Sequence, residues 1–483
     1  MTRWISVLLI LGLAAPMSFG CGDDKNTTKD SGTGGDMTGG KMTTGGMSDT
    51  GGSMTGGSMT GGSMTGGMSD TGGSMTGGTM DMDAAVADCD LSRGSKDKVV
   101  LSGDLGTMTL TSDKYYQLDE YVYVGDGDTL TIEPCTRIEG LPAGSGNPGT
   151  LIVSQGGKLM AEGEADRPIL FTTTLPEGSR ETQSWGGVII LGKSRTFKAQ
   201  PALIEGLTDD PKHYYGGTKN DDNSGSLKYV RIEFGGAIIG TDNEINGLSL
   251  GAVGSKTKIS YVMVNTTEDD CFEFFGGTVN ADHLICNNQG DDMFDTDEGY
   301  KGTLSYLFGR AKDDLSSNPN GFEMDSDNST TAEPRSNDTI NHVTLCGSGM
   351  TPAATSYGMV LRENVLGTFD DIIVTGFDYA ADARDAFGTP ASPSVELTNS
   401  MFFNMNISLF TDESGAADND MGFDEQMWFD MGTGNEEPDP VPFTVADCQK
   451  AAGPNAKVTG SGLGAFADES DWATGMWVDW ATE

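Results

Sequence analysis

The chain has 483 residues, with 72 acidic against 29 basic side chains and a formal charge of −43, although only 21% of its residues are charged. Such an imbalance repels nucleic acid and anionic lipid headgroups and attracts cations. Glycine at 70 residues and a hydrophobic content of 36% fit many short strands joined by tight turns better than long helices, and past the N-terminus no apolar run reaches the roughly 18 residues of a transmembrane helix.

At the N-terminus Arg3 is followed by a short apolar stretch, residues 5–15, and then by Met17-Ser18-Phe19-Gly20-Cys21. That order is a secretory signal, too short to cross a bilayer comfortably. The junction resembles a bacterial lipoprotein signal, with Gly20 in its usual place and Ser18 where leucine is usual. The resemblance implies removal of residues 1–20 and stable anchoring by several acyl chains on Cys21. Gly22 after the cysteine implies the outer membrane or cell surface, with the leaflet open.

Residues 21–83 then form a low-complexity tether in which Gly-Gly-Ser-Met-Thr repeats from Gly51 onward. It has too little bulk to offset the entropy of ordering. As a glycine-rich coil of roughly 58 residues it has an r.m.s. span of about 40–45 Å, enough to hold a domain off a membrane. Met54, Met59 and Met64 are soft copper(I) ligands and oxidation sinks in principle, but tandem duplication alone accounts for their spacing. The tether region to residue 83 contributes −4 of the −43, leaving −39 for residues 84–483.

Setting Cys21 aside leaves Cys89, Cys135, Cys271, Cys286, Cys346 and Cys448, an even set that suits an oxidising compartment and allows fifteen connectivities. Cys89 with Cys135 is the expected pair, since both sit near the start of the folded part. There is no CxxC spacing, so a zinc or thioredoxin-type site is not expected.

Strand-like alternation begins at Leu130-Thr131-Ile132 and continues through residues 151–153, 158–160 and 169–171. Seven short apolar segments follow, starting at Leu227, Ile259, Ala281, Leu304, Ile340, Phe369 and Leu397, each with a polar or aromatic residue in third place. Their spacings are 32, 22, 23, 36, 29 and 28 residues. The shortest is the length of one coil of a β-solenoid, and the longer ones imply loops inserted at turns. One coil cannot bury its own apolar face, but a stack of them can.

The most specific signal lies inside this array. Asp269-Asp270-Cys271-Phe272-Glu273 returns 22 residues later as Asp291-Asp292-Met293-Phe294-Asp295. In a solenoid the two stretches lie on adjacent rungs, about 4.8 Å apart. Carboxylates that close repel by roughly 1 kcal/mol in water and 3–4 kcal/mol at an effective dielectric of 20. A bound cation reverses that sign, and oxygen ligands without nearby His or Cys select Ca²⁺ or Mg²⁺. The expected ligand set is Asp269, Asp270, Glu273, Asp291, Asp292, Asp295 and Asp297. Glu298, Glu323, Asp325, Asp327 and Asn328 add further oxygens, though nothing completes an EF-hand loop. A solvated acidic ladder and a set of catalytic acids remain the alternatives.

Residues 128–134, 151–163 and 167–171, the stretch Trp185-Gly-Gly-Val-Ile-Ile-Leu-Gly-Lys193, and residues 222–236 together with the double-acid echo resemble bacterial cell-surface lipoproteins with a pectin-lyase-like domain. The resemblance covers most of residues 95–483. It implies an all-β, right-handed parallel β-helix over residues 84–483 and brings no established activity. Cys135 departs from it, standing where glycine follows Glu-Pro, which suits a lineage-specific disulfide. Trp472, Trp477 and Trp480 resemble the group's ending and read as an aromatic cap on the last coil, with a sugar-stacking platform as the other use.

For function, the expectation is a tethered structural or binding module, adhesin-like or glycan-binding, stabilised by Ca²⁺, with the membrane and a polysaccharide or cell-surface ligand as partners and no nucleic acid. The alternative is a polysaccharide lyase or glycoside hydrolase using Asp269, Asp270, Asp291 and Asp292. Asn265-Thr266, Asp269-Asp270 and Gln289-Gly-Asp-Asp292 resemble fragments of the polygalacturonase signature, in which Asp270 and Asp292 would be the catalytic acids. That family's Gly-His-Gly and Arg-Ile-Lys elements are missing, and His283 and His342 sit in repeat strands. A lyase would need a base, for which Arg310, Lys312 and Arg362 are the nearby cations.

Overall fold

The computed structural model describes residues 88–481 except 145, 242, 312–318, 328–331, 351–354, 386, 412–418, 451–452, 459–461 and 468–470. The signal, Cys21, the tether methionines, Lys312 and Asn328 fall outside the described residues.

The seven segments pair side by side in one register. Leu227 aligns with Ile259, then Ala281, Leu304, Ile340, Phe369 and Leu397, each pair in parallel strands. The described residues thus form a parallel β-helix, and each spacing in the sequence is the contour length of one coil. Earlier coils continue the stack, with Thr129–Ile132, Lys158–Glu162 and Gly225–Glu233 in one column. The extra length in the 32-residue coil is an antiparallel hairpin, Ile238–Gly240 with Asn243–Glu244.

The third-place residues explain themselves once the backbone is seen. Tyr229, Tyr261, His283, Tyr306, His342, Asp371 and Asn399 all have positive φ, between 49° and 63°. Each bends the long strand into two legs, and the register steps over each residue from Tyr229 to Asp371. A non-glycine residue in this region costs about 1–2 kcal/mol. Ring stacking of about 0.5–1.5 kcal/mol per pair offsets much of that. Tyr229, Tyr261, His283, Tyr306 and His342 stack with successive centroid distances of 4.6, 4.3, 4.7 and 4.7 Å, and His342 Nδ1 continues the ladder to Asp371 Oδ2 at 2.6 Å.

The interior is filled by like residues stacked from coil to coil. Phe272, Phe294, Phe322 and Phe369 are all fully buried and succeed one another at 5.4, 5.8 and 6.1 Å. Cys271 and Cys286 form a disulfide within this core. The expected Cys89–Cys135 disulfide is present, and Cys346 pairs with Cys448.

The C-terminal tryptophans do not cap the last coil. Instead the tail lies along the side wall. Trp472 packs edge-on against His283, Trp477 against Tyr229 and Tyr261, and Trp480 against Phe308. Trp477 N donates to Ala165 O, and Arg231 pairs with Asp479 at 2.8 Å. The physical reason is that the bent third-place residues leave an apolar aromatic stripe on the outside of the solenoid, which the tail covers. The end of the core is covered by a different aromatic group. The helix Glu425–Met431 lays Phe429 on Phe402 at 4.6 Å, and Trp428 Nε1 donates to Val395 O.

Cys346–Cys448 closes a loop of 102 residues that includes this end cover. Replacing both cysteines by serine is expected to cost about 2–4 kcal/mol. Chemical denaturation would show the loss, and limited proteolysis should cut first between residues 448 and 481.

Candidate cation-binding cavity

Successive side chains of a strand point to opposite faces. Burying Phe272, Phe274, Phe294 and Thr296 in the interior therefore turns Glu273, Asp295 and Asp297 outward. Register places Glu273, Asp295 and Glu323 in one column across three coils. A second column runs beside it: Asp270 N donates to Asn246 Oδ1 at 3.2 Å, and Asp292 N donates to Asp270 Oδ1 at 2.8 Å. The Cys271–Cys286 disulfide anchors the start of this strand from inside. Gly290 permits the close stacking of the two double-acid turns, because a Cβ there would collide with the Glu268 carbonyl oxygen.

The two columns line a cavity of about 440 Å³, together with Asp269 and Asp291. Turns and the inserted hairpin complete it with Glu205, Glu244 and Glu268. Among the described residues that line it, only Ile238 and Gly290 are not acidic. The sequence pattern marks none of Glu205, Glu244 and Glu268 as a site residue. Glu205 and Glu268 lie in turns and Glu244 in the inserted hairpin, outside the repeating strands, where no periodicity marks them.

Oxygens of Asp269, Asp270 and Asp291 lie within 4.8 Å of one another, and so do oxygens of Asp270, Asp292 and Asp295. Ca²⁺–oxygen distances of about 2.3–2.6 Å let one ion span ligand oxygens up to about 5 Å apart. Both groups fit that limit, and Asp270 belongs to both. Asp292 is 4% exposed, and its Oδ1, like Asp295 Oδ1, meets no hydrogen-bond donor. A buried carboxylate oxygen without donor or cation is strongly disfavoured.

The carboxyl groups respond by holding protons. Burial, then the Asp291 charge, raises Asp269 to about 8. Burial and Glu244 raise Asp291 to about 6, and the same pair of causes raises Glu205 to about 7. Burial and Asp325 raise Glu323 to about 7. Asp270, Glu273, Asp292 and Asp295 are pushed well above the ordinary carboxylate range, by burial first and neighbouring acids second.

The structure separates Asp297 from this group. It stands two residues further along the strand, outside the cavity, and accepts from Glu298 N. Its neighbours are Glu298, Asp325 and Lys198, and Lys198 pairs with Glu298 at 3.3 Å. The outward face is shared, but a step of two residues moves a side chain about 6.6 Å.

The catalytic candidates are less well served. Two carboxyl groups that activate water for inversion stand about 6.5–9.5 Å apart. Asp270 and Asp292 are closer, with oxygens inside the same 4.8 Å group. Arg310 is turned away: its guanidinium donates to the Lys450 and Trp480 carbonyl oxygens at 2.8 and 2.7 Å, in the wall covered by the tail. Arg362 reaches the acids but is held by Glu323 and Asp325, and those carboxylates push its guanidinium up against the effect of burial.

A family model described as a pectate-lyase like beta helix domain matches residues 103–477. No curated protein and no solved structure matches the chain. The paired coils form a parallel solenoid and the match spans well over half of the sequence, so the chain belongs to the pectate-lyase like β-helix domain family.

Proposed function

We propose that the domain is a Ca²⁺-stabilised binding module, carried at the bacterial surface by a lipid on Cys21 and the tether that follows. The observation that supports it most directly is Asp292 Oδ1, buried without a donor in a cavity lined almost wholly by carboxylates. A divalent ion satisfies that oxygen and neutralises its neighbours. Ca²⁺ takes six to eight oxygens, so a cavity open on one side leaves positions for ligand oxygens. Polysaccharide hydroxyl and carboxylate groups have that chemistry. The short separation of Asp270 from Asp292 disfavours inverting hydrolysis, and the engagement of Arg310 and Arg362 by other partners favours binding over lyase chemistry.

Extracellular modules bind Ca²⁺ with Kd of about 10⁻⁴–10⁻³ M. At 10 mM Ca²⁺ this contributes about 1.4–2.7 kcal/mol per ion, or about 2–3 °C in Tm for a domain of this size. Differential scanning calorimetry at pH 8 should show that rise, its reversal by EDTA, and its loss in Asp292→Asn. No rise at any Ca²⁺ concentration would sink the reading. Release of reducing ends or unsaturated products from a glycan panel, abolished in Asp270→Asn, would replace binding by catalysis. Mass spectrometry of the mature N-terminus tests the lipid on Cys21.

A further inference from the structure

We propose that a second cavity on the same face binds the oxyanion of a hydroxyl-rich ligand, a sugar bearing a carboxylate or a sulfate. This cavity, of about 410 Å³, contains Arg195 and Lys301. Its volume suits a small molecule or a sugar unit rather than a polymer chain end to end. Its charge is opposite to that of its neighbour: two cations face one acid, Glu333. In a domain carrying −39, a cavity with a cationic lining is a local reversal of the field, and neither Arg195 nor Lys301 forms an ion pair among the described residues. An arginine fork matches a carboxylate or sulfate with two parallel hydrogen bonds, and a lysine adds a point charge.

The remaining walls suit hydroxyl groups. Thr278 Oγ1 donates to Asn220 O at 2.6 Å and keeps its lone pairs as acceptors. Asn220 Oδ1 accepts from Ser194 Oγ at 3.3 Å, which leaves its amide hydrogens to donate. Gln200 and Thr218 also line the cavity, and among the described residues no aromatic side chain does. That lining disfavours an apolar ligand and favours a polyhydroxylated one. Bare backbone at Gly277 and Gly299 forms part of the wall. Both have positive φ, 91° and 87°, and a Cβ on either would meet main-chain atoms.

The two cavities are close. Asp295 lines the acidic one and Gly299 the cationic one. Four residues of chain span at most about 14 Å. Thr196, in the wall of the cationic cavity, donates to Glu298 Oε2 at 3.0 Å, and Glu298 lies three residues along the chain from Asp295 of the acidic cavity. A ligand lying across the face can meet a cation through Ca²⁺ in one cavity and through Arg195 and Lys301 in the other. The inference rests on the binding reading of the domain, but not on its cation.

The test is calorimetric titration of the full chain, in EDTA, with glucuronate, glucose 6-sulfate and glucose. Both anionic sugars should bind, with glucose at least tenfold weaker. The ratio of the two anions tells carboxylate from sulfate. Arg195→Gln and Lys301→Gln should each weaken the anionic sugars at least fivefold without changing Tm, and Glu333→Gln should leave binding equal or tighter. Equal affinity for glucose, no binding of either anion, or undiminished binding in the Arg195→Gln/Lys301→Gln double variant would overturn the proposal. Because EDTA is present throughout, those failures are independent of the Ca²⁺ result, which is read separately from the Tm shift of Asp292→Asn.

Discussion

Affinity for Ca²⁺ is expected to fall at least 100-fold between pH 8 and pH 6. Metal ligands must be deprotonated, so each proton held by the free site competes with the ion. Asp269, at about 8, lowers the apparent affinity about 50-fold over that interval, since it is half ionised at pH 8 and about 1% ionised at pH 6. Asp291, at about 6, adds about a further twofold. Asp270, Asp292 and Asp295 are also pushed well above the ordinary carboxylate range, by burial first and neighbouring acids second, and steepen the fall. Calorimetry in buffers of different ionisation enthalpy should also find more than one proton released per ion at pH 7. An affinity that stays flat from pH 8 to pH 6 would mean that these carboxylates are not the ligands.

The same protons give the metal-free protein an unusual slope. Asp269, Asp291, Glu205 and Glu323 all have folded-state values above their ordinary ones. The folded chain therefore binds more protons than the unfolded chain, and stability falls as pH rises. This contribution is full below about pH 4 and is lost progressively as the pH passes through 6 to 8. In EDTA, Tm should be lower at pH 8 than at pH 5, by on the order of 5 °C. Saturating Ca²⁺ should remove most of that difference, because the ion takes the place of the protons.

Much of this site was legible because it sits where the solenoid repeats without interruption. Between Asp269 and Asp291 no loop intervenes, so 22 residues of sequence are one coil of structure, and the echo of acids is a physical stack. The same regularity explains why the seven apolar segments align residue for residue despite spacings from 22 to 36: inserted loops change the contour length of a coil but not the inward side chain at its start. Where the chain leaves the repeat, the sequence loses its predictive hold. Glu244 and Glu268 enter the cavity, and Arg195 its neighbour, from turns and insertions whose path no period encodes. Asp297 shows the opposite failure. It has the right face and the right composition, but distance along the strand decides which cavity a carboxylate joins. The tryptophans of the tail show a third. Composition reveals that an apolar surface is to be covered, and only the left-handed bends at Tyr229, Tyr261 and His283 reveal that the surface is the side wall.

Phe294 couples the core to the cavity, and its truncation tests whether the two are one construction. Its ring is fully buried between Phe272 and Phe322, while the next residue, Asp295, belongs to the acidic column. Phe294→Ala removes a stacked ring that the rungs on either side cannot collapse to replace, because each is fixed by its own strand pairing. The expected cost is about 3–5 kcal/mol, or about 4–6 °C in Tm. Phe294→Leu keeps most of the volume and should cost under about 1.5 kcal/mol. The discriminating measurement is Ca²⁺ affinity at pH 8 in both variants. If register is held by the stacked interior, Phe294→Ala shifts Asp292 and Asp295 relative to Asp270 and weakens Ca²⁺ at least tenfold, whereas Phe294→Leu leaves it within about twofold. If the backbone ladder alone holds register, both variants bind Ca²⁺ as the parent does, and the acidic columns are then positioned by strand pairing without help from the core beneath them.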